Sequence, residues 1–70
     1  MDLIELLEYL ERRKRQCEDE LRHAQTPGFR LFEVTAVGQL DITEQHKERL
    51  RRACAGYQQA IDSVKAQNPQ

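Results

Sequence analysis

The stretch that decides the fold is residues 3–24, LIELLEYLERRKRQCEDELRHA, in which apolar side chains recur at alternating steps of four and three. A second stretch, residues 50–64, LRRACAGYQQAIDSV, repeats this stepping. Such spacing places the apolar residues on one face of an α-helix, and each of these faces must be buried. The residues concerned are Leu3, Leu7, Leu10, Cys17, Leu21 and Ala24 in the first stretch, and Leu50, Cys54, Tyr57, Ile61 and Val64 in the second.

The first helix is predicted to span about residues 2–25. Asp2 precedes the apolar pattern and can cap the free amides of the first turn. The Thr-Pro-Gly sequence at residues 26–28 ends the helix, because proline disfavours helical backbone in the residue before it. Lys14 falls on the apolar stripe, and we expect it at the edge of the buried face with its ammonium group reaching solvent.

The second helix is predicted over about residues 43–67, beginning near Asp41 or Thr43, both of which are suitable caps. The last three residues, 68–70, are expected to be a frayed tail. Gly56 lies inside this helix, where it costs ~1 kcal/mol relative to alanine. We expect a close approach by another backbone to offset that cost.

The segment between the helices predicts a short strand or β-hairpin over about residues 29–42. Residues 29–34 are rich in aromatic and branched side chains and are bounded by turn formers. Gly38 permits a left-handed backbone after a turn through residues 35–37, and residues 39–42 can return as a second strand. An isolated two-stranded hairpin is only marginally stable, so it must lie against the helices or pair with another hairpin.

These elements predict a mainly α fold with a minor β component: two antiparallel helices joined by the hairpin, in the order α-β-β-α. The chain has 70 residues, which predicts a single domain over 1–70. A domain below roughly 70 to 80 residues has only a few kcal/mol of core stability and often gains more by associating. We therefore expect a homodimer with a four-helix bundle core.

The composition, 39% hydrophobic and 33% charged with a net charge of -1, is typical of helical proteins and lacks the strong positive charge of most nucleic-acid binders. Acidic residues stand near the N-terminus where an export signal would be basic. Nor is there an apolar run approaching the ~18 residues that span a bilayer. We expect a cytoplasmic protein with no membrane association.

The two cysteines, Cys17 and Cys54, both lie on the helical stripes and are expected to be core thiols, with a disulfide as the alternative. Folding the helices back about the middle of the connector places Cys17 opposite the region of Leu50 and Cys54 opposite the region of Arg13. That offset of about four residues is ~6 Å along the helix axis, which is awkward for a disulfide.

No catalytic, cofactor or metal signature is visible. Cys17, His23, His46 and Cys54 could bind a metal but lack the short spacings of zinc sites. His46 continues the second stripe, so we expect its ring to pack near Leu21 or, alternatively, to sense pH. The lone serine, Ser63, has no glycine-rich elbow. The sequence therefore favours a non-catalytic protein without cofactor or metal.

Surplus apolar residues provide the main indication of function. The first turns of helix one are apolar over more of their circumference than one partner helix can cover. The apolar side chains of the hairpin likewise need something to cover them. This pattern predicts a protein–protein interaction module, an adaptor or regulator, whose partners are a second copy and another protein. The predicted interface residues are Ile4, Leu6, Leu10, Phe29, Leu31 and Phe32.

The alternative is a nucleic-acid-binding regulator. Each helix carries a basic cluster, and the register given above brings the two clusters within about a turn of each other. Several glutamates neutralise part of that charge, which is also the pattern of a salt-bridged, solvated surface. The predicted nucleic-acid contacts are Arg12, Arg13, Arg15, Arg49, Arg51 and Arg52.

Overall fold

A computed structural model of the chain describes residues 2–67. Two helices are joined by an antiparallel two-stranded hairpin, which confirms the mainly helical α-β-β-α order. Within residues 2–67, neither helix carries an apolar stretch long enough to cross a membrane. The predicted tail, residues 68–70, lies outside the described residues. The elements are α1 (Leu3–Ala24), β1 (Phe32–Thr35), β2 (Gly38–Asp41) and α2 (Thr43–Gln67).

Helix α1 begins and ends as its local sequence predicts. Asp2 has extended backbone, and its Oδ1 accepts a hydrogen bond from the Glu5 amide at 2.7 Å. After the helix, the Phe29 amide donates to the Thr26 carbonyl at 3.1 Å, and Gly28 has a φ of 88°. Proline at the second position and a positive φ at the third are the marks of a type II turn. This turn directs the chain away from α1.

The hairpin reverses at Ala36 and Val37, and the prediction for Gly38 is confirmed. Neither turn residue has a positive φ, so the left-handed conformation falls on Gly38, whose φ is 132°. The Thr35 hydroxyl donates to the Gly38 carbonyl at 2.7 Å and accepts from the Val37 amide at 3.3 Å. The side chain of Thr35 thus holds the turn closed without help from either helix.

The core lies between α1 and α2 and is thin. One cluster, near the hairpin end, contains the buried side chains Cys17, Ala24 and Leu50. Ile61 and Val64 are also buried, nearer the free end of α2. Leu21, Phe29, Cys54 and Tyr57 are partly buried and pack against the first cluster.

The predicted helix register is wrong by about one turn. The sequence places Arg13 opposite Cys54, but the Arg13 Nε donates to the hydroxyl of Tyr57 at 3.3 Å. Cys17 does contact Leu50 as expected, and it also contacts Cys54. The predicted register folds the chain about the middle of the connector, whereas residues 25–35 precede the turn at 36–37 and only residues 38–42 follow it.

Gly56 is exposed on α2, and a Cβ added there would meet no atom within 4 Å. The expected close approach by another backbone is therefore not found within residues 2–67. Its helical φ is one that alanine adopts easily. The glycine therefore lowers helix stability, and no close contact within residues 2–67 compensates for that cost.

Replacing Gly56 with alanine is expected to raise the free energy of unfolding by ~1 kcal/mol, since alanine restricts the unfolded chain and favours helix. Urea unfolding followed by circular dichroism measures the change. Ala55→Gly at the neighbouring exposed position is the matched control and should lower stability by a similar amount. A destabilised Gly56→Ala variant would contradict the prediction and indicate that a second molecule packs against this position.

Candidate interaction surfaces

The base of the hairpin is fixed to α2 through Thr43, which is only 1% exposed. Its hydroxyl accepts a hydrogen bond from the Leu31 amide at 3.0 Å and donates to Asp41 Oδ1 at 2.5 Å. The carbonyl of Leu31 accepts from the Ile42 amide at 2.9 Å. Both backbone groups of Leu31 are therefore held, and the direction in which the hairpin leaves the helices is defined.

Asp41 performs the capping role predicted for the start of α2. Its Oδ1 accepts from the Thr43 amide at 2.9 Å in addition to the Thr43 hydroxyl. The hydroxyl bond first, and then the amide bond, lower the pKa of Asp41 below its ordinary value, and Arg30 at 4.0 Å adds a smaller effect in the same direction. An ionised carboxylate at this helix end also complements the helix dipole.

Beyond its base, the hairpin is a ribbon of eight strand residues, all of them exposed. Residues that pair across the strands share a face, so Phe32 and Val34 lie on one face and Leu40 on the other. Val34 is 79% exposed, and Val37 at the turn is 98% exposed. Within residues 2–67 the helices do not cover these apolar side chains, so the first of the two arrangements expected for the hairpin is not found; pairing with another hairpin stays a prediction.

A second apolar surface lies at the opposite end of the molecule, where α1 begins. Ile4 is 66% exposed there, and Leu3 and Tyr9 are also exposed. Leu6 and Leu10 are partly buried. We call this region the open end, defined by Leu3, Ile4 and Tyr9, whose side chains point to different sides of α1 because successive helical residues are rotated by about 100°.

The predicted interface residues therefore divide between two surfaces. Ile4 and Phe32 are exposed, whereas Leu6, Leu10, Phe29 and Leu31 are partly buried. The start of α1 and its end near the hairpin are separated by ~30 Å at 1.5 Å per residue. One chain thus does not combine these residues into a single interface.

The predicted nucleic-acid residues are all exposed, but they do not form one patch. Arg13 is held by Tyr57 and by Gln16 Oε1 at 3.2 Å, and its hydrogen bond with Tyr57 is the main cause of its raised pKa. Arg51 and Arg52 both pair with Glu48, at 3.3 Å each. Within residues 2–67, no ion pair is formed by the remaining three: Arg12, Arg15 and Arg49.

The two basic clusters are also farther apart than the sequence predicts. Because Arg13 lies beside Tyr57, Arg51 and Arg52 are five to six residues away along α2, or ~8 Å. Lys14, expected at the edge of the core, is 30% exposed at its side chain and pairs with Glu18 at 3.9 Å. Flanking glutamates pair with three of the basic side chains, Glu18 with Lys14 and Glu48 with Arg51 and Arg52.

The rings of both histidines contact the ring of Phe29. The ring of His23 meets Phe29 edge-on, with centroids 5.6 Å apart, and His46 stacks on it at 6.1 Å. Phe29 packs against the same cluster as Leu21, the residue near which His46 is expected. No group of three or more His, Cys, Asp or Glu side chains in the described part of the chain is arranged to hold a metal ion.

Sequence reasoning misses the most exposed apolar residues, Val34 and Val37. The alternation of the strand puts Val34 on the face of Phe32, so a signal for Val34 is present in the sequence. Val37 lies in the turn that the sequence predicts over residues 35–37, so a signal for its exposure is present as well.

Comparisons with protein-family models, curated proteins and solved structures found no match for this chain.

Proposed function

We propose that the chain is a non-catalytic protein–protein interaction module that works as a homodimer, with the ribbon as its principal binding element. The observation that carries this proposal is the exposure of the whole ribbon, including Phe32 and Val34. A free two-stranded ribbon is marginally stable in water, and its edges can pair with other chains. A partner that covers it would stabilise it.

A second copy fits as that partner because the chain has two uncovered apolar surfaces at opposite ends. The molecule is elongated, with extents of 53 × 27 × 15 Å. Two copies lying side by side and antiparallel would bring the ribbon of each against the open end of the other. A two-fold axis makes these contacts reciprocal, so a single arrangement covers the ribbon and the open end of both copies.

The same arrangement adds a second pair of helices to a thin core. Four helices packed together bury more apolar area than two, and a chain of 70 residues has little core stability of its own. It also unites the predicted interface, since Ile4 of one copy would meet Phe32 and Val34 of the other. The dimer is then the unit that presents any further protein-binding surface.

Light scattering coupled to gel filtration, at low micromolar concentration with reductant, tests the proposal. The expected mass is twice that of the 8.2 kDa chain. Val34→Arg should weaken self-association by roughly 100-fold, because an unpaired buried charge costs several kcal/mol. The matched control, Gln59→Arg, adds the same charge to an exposed position of α2 and should remain dimeric.

A photo-crosslinking residue at position 34 tests the antiparallel arrangement. Mass spectrometry should find the cross-link on the peptide that contains Ile4 of the second copy. Cross-links between two ribbons would replace this arrangement with ribbon-to-ribbon pairing.

A monomer of 8.2 kDa would overturn the homodimer. If that monomer bound duplex DNA at low salt and lost it steeply as salt rises, the arginines would become the functional surface.

A further inference from the structure

The two cysteines face each other across the helix pair. Cys17 lies in α1 and Cys54 in α2, and their Sγ atoms are 3.0 Å apart. Both thiols are free. The Cys54 thiol donates to Cys17 Sγ, and the Cys17 thiol donates to the carbonyl of Leu50 at 3.4 Å. Residues far apart in sequence are thus already at a separation from which two sulfur atoms can be joined.

The environments of the two thiols differ. Cys17 is 5% exposed, whereas Cys54 is partly exposed. Burial, followed by the hydrogen bond with Cys54, raises the pKa of Cys17 to about 11. Because the thiolate is the nucleophile in exchange, the buried Cys17 should react slowly with external reagents, although the adjacent Cys54 sulfur stays within its reach. An external reagent can reach Cys54 more readily.

We propose that Cys17 and Cys54 form a disulfide modification site that reacts with a low-molecular-weight disulfide of the glutathione class. The inference does not depend on the proposed homodimer, since both sulfur atoms belong to one chain. The resulting bond would join the middle of α1 to α2, next to the cluster of Ala24 and Leu50.

The reaction balances as two thiol–disulfide exchanges. The Cys54 thiolate attacks one sulfur of the small disulfide, forming a mixed disulfide and releasing one small thiolate. Cys17 then loses its proton and attacks the Cys54 sulfur, which breaks the mixed disulfide and releases the second small thiolate. Two protein thiols are oxidised, one small disulfide is reduced, and the two protons end on the released thiols.

The product should be markedly more stable than the dithiol form. A cross-link that closes a loop of this length restricts the unfolded chain, and in a domain of this size the melting temperature should rise by roughly 10 °C or more. The bond would also hold the helices at their observed register. Oxidation would therefore convert a marginally stable helix pair into a locked one.

The test exposes the full chain to oxidised and reduced glutathione at a series of ratios and follows intact mass. The expected product is a chain lighter by two hydrogen atoms, with no glutathione attached and no covalent dimer. Its melting temperature should fall when reductant is added. Cys17→Ser should stop at the mixed disulfide on Cys54, and Cys54→Ser should react far more slowly than Cys17→Ser, because the remaining thiol is buried.

Three results would overturn the proposal. They are a native chain that stays reduced under conditions that oxidise it in urea, a mixed disulfide on Cys54 that persists although Cys17 is present, and a disulfide between two chains. The mass measurement on the unmodified sequence distinguishes these results from the expected product even if a serine variant fails to fold.

Discussion

The Leu50→Ala variant is expected to lose ~3 kcal/mol of stability and to be largely unfolded at about 25 °C, because a chain of this size has only a few kcal/mol in total. Leu50 is buried in the cluster that contains Cys17 and Ala24. The neighbouring Ala24 has no side-chain atoms beyond Cβ that could move into the space, so we expect part of the cavity to persist. Urea unfolding at fixed protein concentration measures the loss.

The matched control for this prediction is Leu50→Met, which nearly conserves side-chain volume and should cost less than ~1.5 kcal/mol. Comparable losses in the two variants would indicate sensitivity to side-chain shape and not to the cavity. A loss below ~1 kcal/mol for Leu50→Ala would contradict the packing described for this cluster. The protein concentration must be kept constant, because self-association makes apparent stability concentration-dependent.

The helices and the hairpin could be predicted because each has a local cause. The heptad-like spacing requires one buried face, Asp2 caps an amide three residues away, and Pro27 with Gly28 specifies a turn. Each signal involves residues close in sequence, so it survives without knowledge of the tertiary fold.

The helix register could not be predicted because it depends on where the connector reverses. The turn is found where Gly38 predicts it, but residues 25–35 precede it and only residues 38–42 follow it, so the helices do not pair symmetrically about the middle of the connector. Because the predicted register is wrong by about one turn, it places Cys17 too far from Cys54. The same register error places the two basic clusters too close together. It therefore affects both the predicted cysteine pairing in the core and the predicted basic surface.

The surfaces were predicted less well than the fold for a related reason. Apolar patterning identifies residues that need to be covered but does not say which of them the chain covers itself. Phe29 and Leu31 are partly buried within the chain, whereas Ile4 and Phe32 are left exposed. Their separation by the length of α1 becomes visible only once the helices are placed, and it is this separation that favours an antiparallel second copy.

Thr43→Val is expected to cost ~2 to 3 kcal/mol, although valine has nearly the same shape as threonine. The substitution leaves the partly buried Leu31 amide without its acceptor and removes the hydroxyl that donates to Asp41. A buried donor left unsatisfied costs ~1 to 3 kcal/mol, and the lost bond to a carboxylate adds to that. The ribbon, whose strand residues are all exposed, should lose its fixed direction first.

The matched control is Thr43→Ser, which keeps the hydroxyl and loses one methyl group, at a cost of ~1 kcal/mol. Two NMR measurements separate the variants. The Leu31 amide should exchange rapidly with solvent in the valine variant and remain protected in the serine variant. The pKa of Asp41, lowered mainly by the Thr43 hydroxyl, should rise in the valine variant alone. Equal stability and equal Asp41 titration in both variants would show that the hydroxyl does not anchor the ribbon, and that the methyl group of Thr43 matters more than its hydrogen bonds.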